Sequence, residues 1–176
     1  MVTLPFVPGP PRGHVRTVEA IWELLDRVKD PEVPVLSVVE LGIVRDVRIA
    51  ADGVTVVITP TYSGCPAMHV IEQDIMAELA ASGVEPVHID TVFSPAWTTD
   101  WMSDAAKAKL VAYGIAAPGK TERDDGLVTL TRRLAVKCPY CGSMKTTLKS
   151  EFGATACKSI NYCESCKQPF EQFKAI

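Results

Sequence analysis

The chain has 176 residues, 47 % of them hydrophobic and 22 % charged, a balance that suits one ordinary domain plus a small appendage and excludes a fibrous or disordered protein. A net charge of −3 without a clustered Lys/Arg face argues against nucleic acid. No window approaches the roughly 18 uninterrupted apolar residues of a membrane span, and "MVTLPFVPGPPRGH" lacks a positive segment followed by an apolar one, so a cytoplasmic, non-membrane protein is expected.

Residues 1–16 contain four prolines and two glycines without periodicity and read as an extended arm. From Thr17 onward, Val18, Ile21, Trp22, Leu25 and Val28 recur at the spacing of an amphipathic helix, which Asp30-Pro31 should stop. The loop "DPEVPVLSVVELG" follows. Runs 43–50 and 54–60 flank Ala51-Asp52-Gly53, a hairpin signal. Pro66 suits the first turn of a second helix, whose apolar face is Met68, Ile71, Ile75 and Leu79 and whose end is Gly83. "VHIDTVF" (87–93) predicts a third strand, and "SDAAKAKLVAYG" a third helix with Ser103 as N-cap and Gly114 as stop. Trp97 and Trp101, four apart, are either an exposed anchor pair or a cap on the core. The whole predicts an α+β protein: a small layered α/β domain followed by a β-rich, zinc-ribbon-like domain.

Charge divides the chain in the same place. Residues 1–120 carry 15 acidic and 9 basic side chains, whereas 121–176 carry 6 and 9. The expected organisation is an arm (1–16), a first domain (17–117), a linker (118–126) and a second domain (127–176).

Five of the six cysteines lie in that second domain. Cys138 and Cys141, then Cys163 and Cys166, form two C-x-x-C pairs 21 residues apart. Each pair offers two thiolates from one tight turn, which suits tetrahedral Zn2+ at about 2.3 Å per sulfur. Short β-like runs, "LVTLTRRLAVK", "KTTLKSE" and "QPFEQFK", surround the turns and favour a ribbon over a redox dithiol or iron–sulfur cluster. About fifty residues bury little surface by themselves, so the metal would supply much of their folding energy. Cys157 is a fifth sulfur that either replaces one of these ligands or stays free.

Cys65 stands apart, in "TPTYSGCPAMHV" at the start of the second helix, where the helix dipole favours thiolate. His69, one turn on, could share its face and a metal. Against this, an isolated cysteine is commonly a small buried hydrophobe, and Asp30 and Glu32 could simply be solvated residues of a helix stop. No orienting third group marks Cys65–His69 as a nucleophile–base pair, and no catalytic residue is assigned.

"DPEVPVLSVVELGIVRDV" together with "TPTYSGCPA" resembles the iron–sulfur assembly domain family of the MIP18-like type, over roughly residues 17–115. The resemblance implies that Asp30, Glu32 and Cys65 hold the family's acidic and cysteine positions and that the site handles iron or an iron–sulfur cluster transiently. "FSPAWTTDWMSDAAKAKLVAYGIAAP" and "CPYCGS…FGATACKSINYCESCKQPFEQFK" are similar to the family of accessory D components of bacterial phenylacetyl-CoA epoxidases. That likeness implies partners, a di-iron oxygenase and a flavin/iron–sulfur reductase, and a role in metal maturation or, alternatively, a purely structural docking role. A ferritin-like di-iron centre needs paired Glu-x-x-His helices, and with three histidines and no dinucleotide cradle this chain is expected to leave oxygen activation to others. Monomer or homodimer is not set by the sequence.

Overall fold

The computed structural model describes residues 17–62, 64–119 and 135–175. The expected arm, most of the linker and the start of the run "LVTLTRRLAVK" lie outside the described residues. Eleven ordered segments follow the predicted α+β order. Helix α1 (Val18–Leu25) is capped by Thr17, whose side-chain oxygen accepts the Ala20 N–H, and it buries Ile21, Leu24 and Leu25. It ends earlier than Asp30-Pro31, and the chain from Arg27 to Val28 continues in tight turns that still bury Val28.

Strands β1 (Val44–Ala50) and β2 (Gly53–Ile58) form the antiparallel hairpin. At its turn Gly53 has φ +137°, and a Cβ there would lie 2.4 Å from the Pro86 carbonyl oxygen, so no larger residue fits. Helix α2 (Ala67–Ala81) crosses back to β3 (Val87–Thr91), which pairs parallel to β2, giving the sheet order β1-β2-β3. Ile71, Ile75 and Leu79 of α2 are fully buried, as the helical spacing requires. Each contributes about 1.5–3 kcal/mol by leaving water. The one Glu-x-x-His spacing in the chain, Glu85 to His88, falls on a loop and on β3, so it forms no helical di-iron ligand pair.

A short 3-10 turn (Thr99–Trp101) leads to α3 (Asp104–Tyr113), with Ser103 accepting from Ala106 N–H and Gly114 closing the helix in the left-handed region (φ 93°). Trp97 is no surface anchor: it is 3 % exposed and its indole N–H donates to the Leu41 carbonyl at 3.0 Å. Trp101 is half-buried beneath the Arg45 guanidinium, 3.5 Å from its ring centre.

The second sheet has the order β4-β7-β6-β5, with β4 (Ile115–Ala116), β5 (Thr146–Ser150), β6 (Lys158–Cys163) and β7 (Pro169–Phe173). Strand β6 escapes the sequence reading because it is polar. Lys158, Ser159 and Asn161 are nonetheless buried, partnered across to β7 by Glu171 and Gln172. Burying such groups costs free energy unless they are paired, and here they are.

The two sheets share a core. Strand β4 leaves α3 and pairs parallel with β7, so the second sheet takes its edge from the first domain's side of the chain. Phe173 and Cys157 are members of the large hydrophobic cluster built mainly by residues 21–115, and the Phe173 ring packs on Trp97 with centroids 6.0 Å apart. A smaller cluster of Ala116, Cys138, Cys163 and Phe170 lies under the cysteine turns.

Candidate functional site

The loop after α1 is built by its own side chains. Asp30 Oδ1 accepts the backbone N–H groups of Val33 (2.7 Å) and Glu32 (2.8 Å), winding "DPEV" into a tight turn. Farther along, Ser37 and Glu40 cap one another: Glu40 Oε2 accepts from Ser37 N–H at 3.0 Å and Ser37 Oγ from Glu40 N–H at 3.0 Å. Glu40 also pairs with Lys109 of α3. Asp30 is 7 % exposed, not solvated, and burial holds its carboxyl above the usual range although the two N–H groups oppose that.

Opposite this loop, Gly64 in the left-handed region (φ 90°) turns the chain from β2 towards α2 and places Cys65 before it. The helix begins at Ala67, two residues later than Cys65, with Pro66 as its N-cap. Cys65 is half-buried. The Tyr62 phenol is pushed up to about 12, first by burial and then by the neighbouring Cys65, Glu32 and Cys157. His69 does not join Cys65: its ring is exposed, sits 3.1 Å from Gln73, and is absent from the cavity beside Cys65.

That cavity brings together Asp30, Glu32, Cys65 and Cys157, walled by apolar residues that include Leu41, Ile71 and Phe173. It holds about 10 Å³, roughly the space of one water-sized sphere. Cys157 is 4 % exposed, its Sγ lies 3.0 Å from Thr155 Oγ1, and it donates to Glu32 Oε2 at 3.7 Å. Burial, reinforced by the Glu32 carboxylate, pushes this thiol up to about 11. Next to it Lys158, 5 % exposed, pairs with Glu171 at 2.8 Å and supplies the local positive charge.

The other four cysteines form a separate group. The Sγ atoms of Cys138, Cys141, Cys163 and Cys166 all lie within 4.8 Å of one another. Sulfurs bound at about 2.3 Å around a tetrahedral ion would stand about 3.8 Å apart; here Cys138–Cys166 is 3.7 Å and Cys141–Cys163 is 3.5 Å. The Cys163 thiol is pulled down to about 6, chiefly by the backbone N–H of Cys166 and that of Ser165, with burial opposing. The donor set and its spacing fit a tetrahedral metal of the zinc class. Cys157 is not in this group: it belongs to the first cavity, so its reading as a replacement ribbon ligand is corrected.

The sequence reading therefore names Asp30, Glu32 and Cys65 together and the four ribbon sulfurs together, leaves Cys157 open between ribbon ligand and free thiol, misses Tyr62, and sets His69 beside Cys65 where the structure does not. Only the packing of β6 and β7 onto the first domain puts Cys157 beside Glu32, and nothing local to residue 157 signals that.

Comparison with known proteins gives the following. Residues 18–89 match the family described as iron-sulfur cluster assembly protein, and residues 122–174 match the PaaD zinc beta ribbon domain. A relative from Escherichia coli (strain K12), named as the D component of a "Putative 1,2-phenylacetyl-CoA epoxidase", is 42 % identical over 96 % of this chain and 96 % of its own. A "Fe-S protein maturation auxiliary factor" of Porphyromonas gingivalis is 41 % identical over 54 % of this chain and 92 % of its own. A third relative, from Bacillus subtilis (strain 168), carries a name of the same kind and is 38 % identical over 55 % of this chain and 93 % of its own.

Proposed function

Because the chain belongs to the family of the Escherichia coli epoxidase D component, an iron–sulfur assembly domain joined to a zinc β-ribbon, we propose that it is an accessory factor of a phenylacetyl-CoA epoxidase that loads or repairs iron, or an iron–sulfur cluster, in a partner subunit. The observation that carries this reading is the meeting of Cys65 with Asp30 and Glu32 in one small cavity. A half-exposed thiol backed by carboxylates offers one soft and one hard donor, a combination suited to holding a first-row metal briefly rather than caging it.

In this reading Cys65 is the transient ligand. Asp30 spends one carboxylate oxygen on the turn and so fixes the position of Glu32. Tyr62 stands beside the sulfur, its phenol kept protonated by burial. Cys138, Cys141, Cys163 and Cys166 would hold Zn2+, which would supply folding free energy to the ribbon and give a docking module for the di-iron oxygenase or the flavin/iron–sulfur reductase. A reducing cytoplasm suits the thiols. Among the described residues no helix is long and apolar enough to cross a membrane.

The test is reconstitution of the epoxidase with wild type or Cys65→Ser, measuring iron in the partner subunits and substrate turnover. Loss of both with Cys65→Ser is expected. Full iron and turnover with Cys65→Ser would overturn the role of the sulfur and leave a purely structural subunit.

A further inference from the structure

We propose that the proline-rich arm, residues 5–12, docks as a polyproline II ridge in a groove between the two domains, a contact made within one molecule. It is independent of what the Cys65 cavity handles.

The groove is built where the ribbon meets the end of α3. It holds about 520 Å³, within the range of sites that take up a ligand rather than a single water. Two tyrosines line it: Tyr113 is the last residue of α3, and Tyr140 lies between the paired Cys138 and Cys141. Both are more than half exposed, at 57 % and 58 %. The Tyr140 ring is laid against Gly114, where an added Cβ would come within 3.1 Å of its hydroxyl, so the bare backbone at 114 sets where the ring lies. Ile160 and Pro169 add apolar surface, and Glu32 and Glu171 add carboxylates. Aromatic-lined grooves are where proline-rich segments dock, because a polyproline helix is extended before it binds and loses little entropy.

The occupant is written in the sequence. "LPFVPGPPR" (4–12) places Pro5, Pro8 and Pro11 at intervals of three, followed by Arg12. Polyproline II has three residues per turn, so these three rings fall on one edge. Glu171 is already paired with Lys158 at 2.8 Å, whereas Glu32 forms no ion pair among the described residues. Arg12 therefore has an unpaired carboxylate to meet at the Glu32 end. Reach suffices, since the arm ends at Thr17, the cap of α1. The twelve steps from Thr17 back to Pro5 span about 37 Å at 3.1 Å each, more than twice the roughly 16 Å radius of gyration of a compact chain this long. Tethering sets an effective concentration of about 1 mM, so a contact with a Kd of only about 0.1 mM in trans keeps the arm docked about nine-tenths of the time.

The full chain, its ribbon filled with zinc, would be tested after circular dichroism shows each variant folded. Trypsin cleavage after Arg12 would be followed by mass spectrometry, each rate divided by that of the free 1–16 peptide of the same sequence. Cleavage should be about 10-fold slower in wild type than in Pro5→Ala/Pro8→Ala/Pro11→Ala or in Tyr113→Ala/Tyr140→Ala, the factor that a one-tenth undocked population sets. The proline variant alters only the arm and stands should the tyrosine variant fail to fold. Glu32→Gln should speed cleavage by about 2-fold, the worth of an exposed ion pair. With 3-fluorotyrosine incorporated, the 19F resonances of Tyr113 and Tyr140 should shift in the proline variant, while that of Tyr162, outside the groove, stays. One cleavage rate for wild type and the proline variant, or fluorine resonances unmoved by it, would overturn the docking. Protection that fades on dilution would overturn the contact within one molecule and assign the groove to the arm of a second copy.

Discussion

Replacing Phe173 by alanine tests whether the ribbon is built into the core of the first domain or merely tethered to it. Phe173 is 2 % exposed, stacks at 6.0 Å on Trp97, and walls the cavity that holds Cys65. Truncating a phenylalanine in such a setting costs about 3–5 kcal/mol, from lost burial and from the void that rigid neighbours cannot fill. Against a typical total of about 5–15 kcal/mol this is a large fraction. The three tryptophans all precede the ribbon, at 22, 97 and 101, so their fluorescence in urea follows the unfolding of the first domain, with Trp97 also reporting its contact with Phe173. Phe173→Ala should lower the midpoint at an unchanged slope and shift Trp97 emission to the red. Phe173→Leu, which keeps most of the volume, should cost less than about 1.5 kcal/mol. A loss under about 1 kcal/mol with Trp97 emission unmoved would refute the shared core.

Asp30→Ala should orphan the Glu32 and Val33 N–H groups and cost about 1–3 kcal/mol in thermal or urea unfolding, whereas Asp30→Asn keeps an acceptor and should fold nearly as well as wild type; equal losses would show that the charge, not the turn, matters. Burial pulls the Glu171 carboxyl up, but Lys158 and the Ala154 N–H outweigh it and hold it below 4.5. Its contribution is therefore complete above about pH 4.5 and is lost as pH falls through the lower folded-state value. Glu171→Gln should cost about 1–3 kcal/mol at pH 7, where it strands the buried Lys158 ammonium, and less as pH falls through the folded-state value of Glu171; a pH-independent cost in urea titrations would contradict the pairing. Stripping metal with a strong chelator should abolish the ribbon's β-signal in far-UV circular dichroism and also shift Trp97 emission, because Phe173 loses its scaffold; an unmoved emission would mean the sheet holds without metal.

Much of this was legible in the residues. Helical periodicity places Ile21 and Leu25, then Ile71, Ile75 and Leu79, on buried faces, and Ser103 and Gly114 bound α3 where their chemistry predicts. C-x-x-C pairing gathers four sulfurs because each turn is local. What periodicity cannot see is partnering at a distance. Strand β6 carries a lysine, a serine and an asparagine that read as solvent-facing, and only Glu171 and Gln172 on β7 make their burial tolerable. Helix α1 stops at Leu25 rather than at the proline because the following turns are tied to the Ser37 segment, through Val38 N–H to Val28 O and Asp30 N–H to Leu36 O. The same non-locality hides Cys157, whose role is set by the docking of two sheets.

Strand β6 has a further consequence. Cys157 immediately precedes its first residue and Cys163 is its last, so six extended steps of about 3.3 Å set the two cysteines about 20 Å apart along a hydrogen-bonded rod. That span is many times a metal–sulfur bond. A metal held by the ribbon would sit a full strand length from the cavity beside Cys157. The strand acts as a ruler: inserting one residue in it would keep both centres chemically intact yet turn one of them to the wrong face.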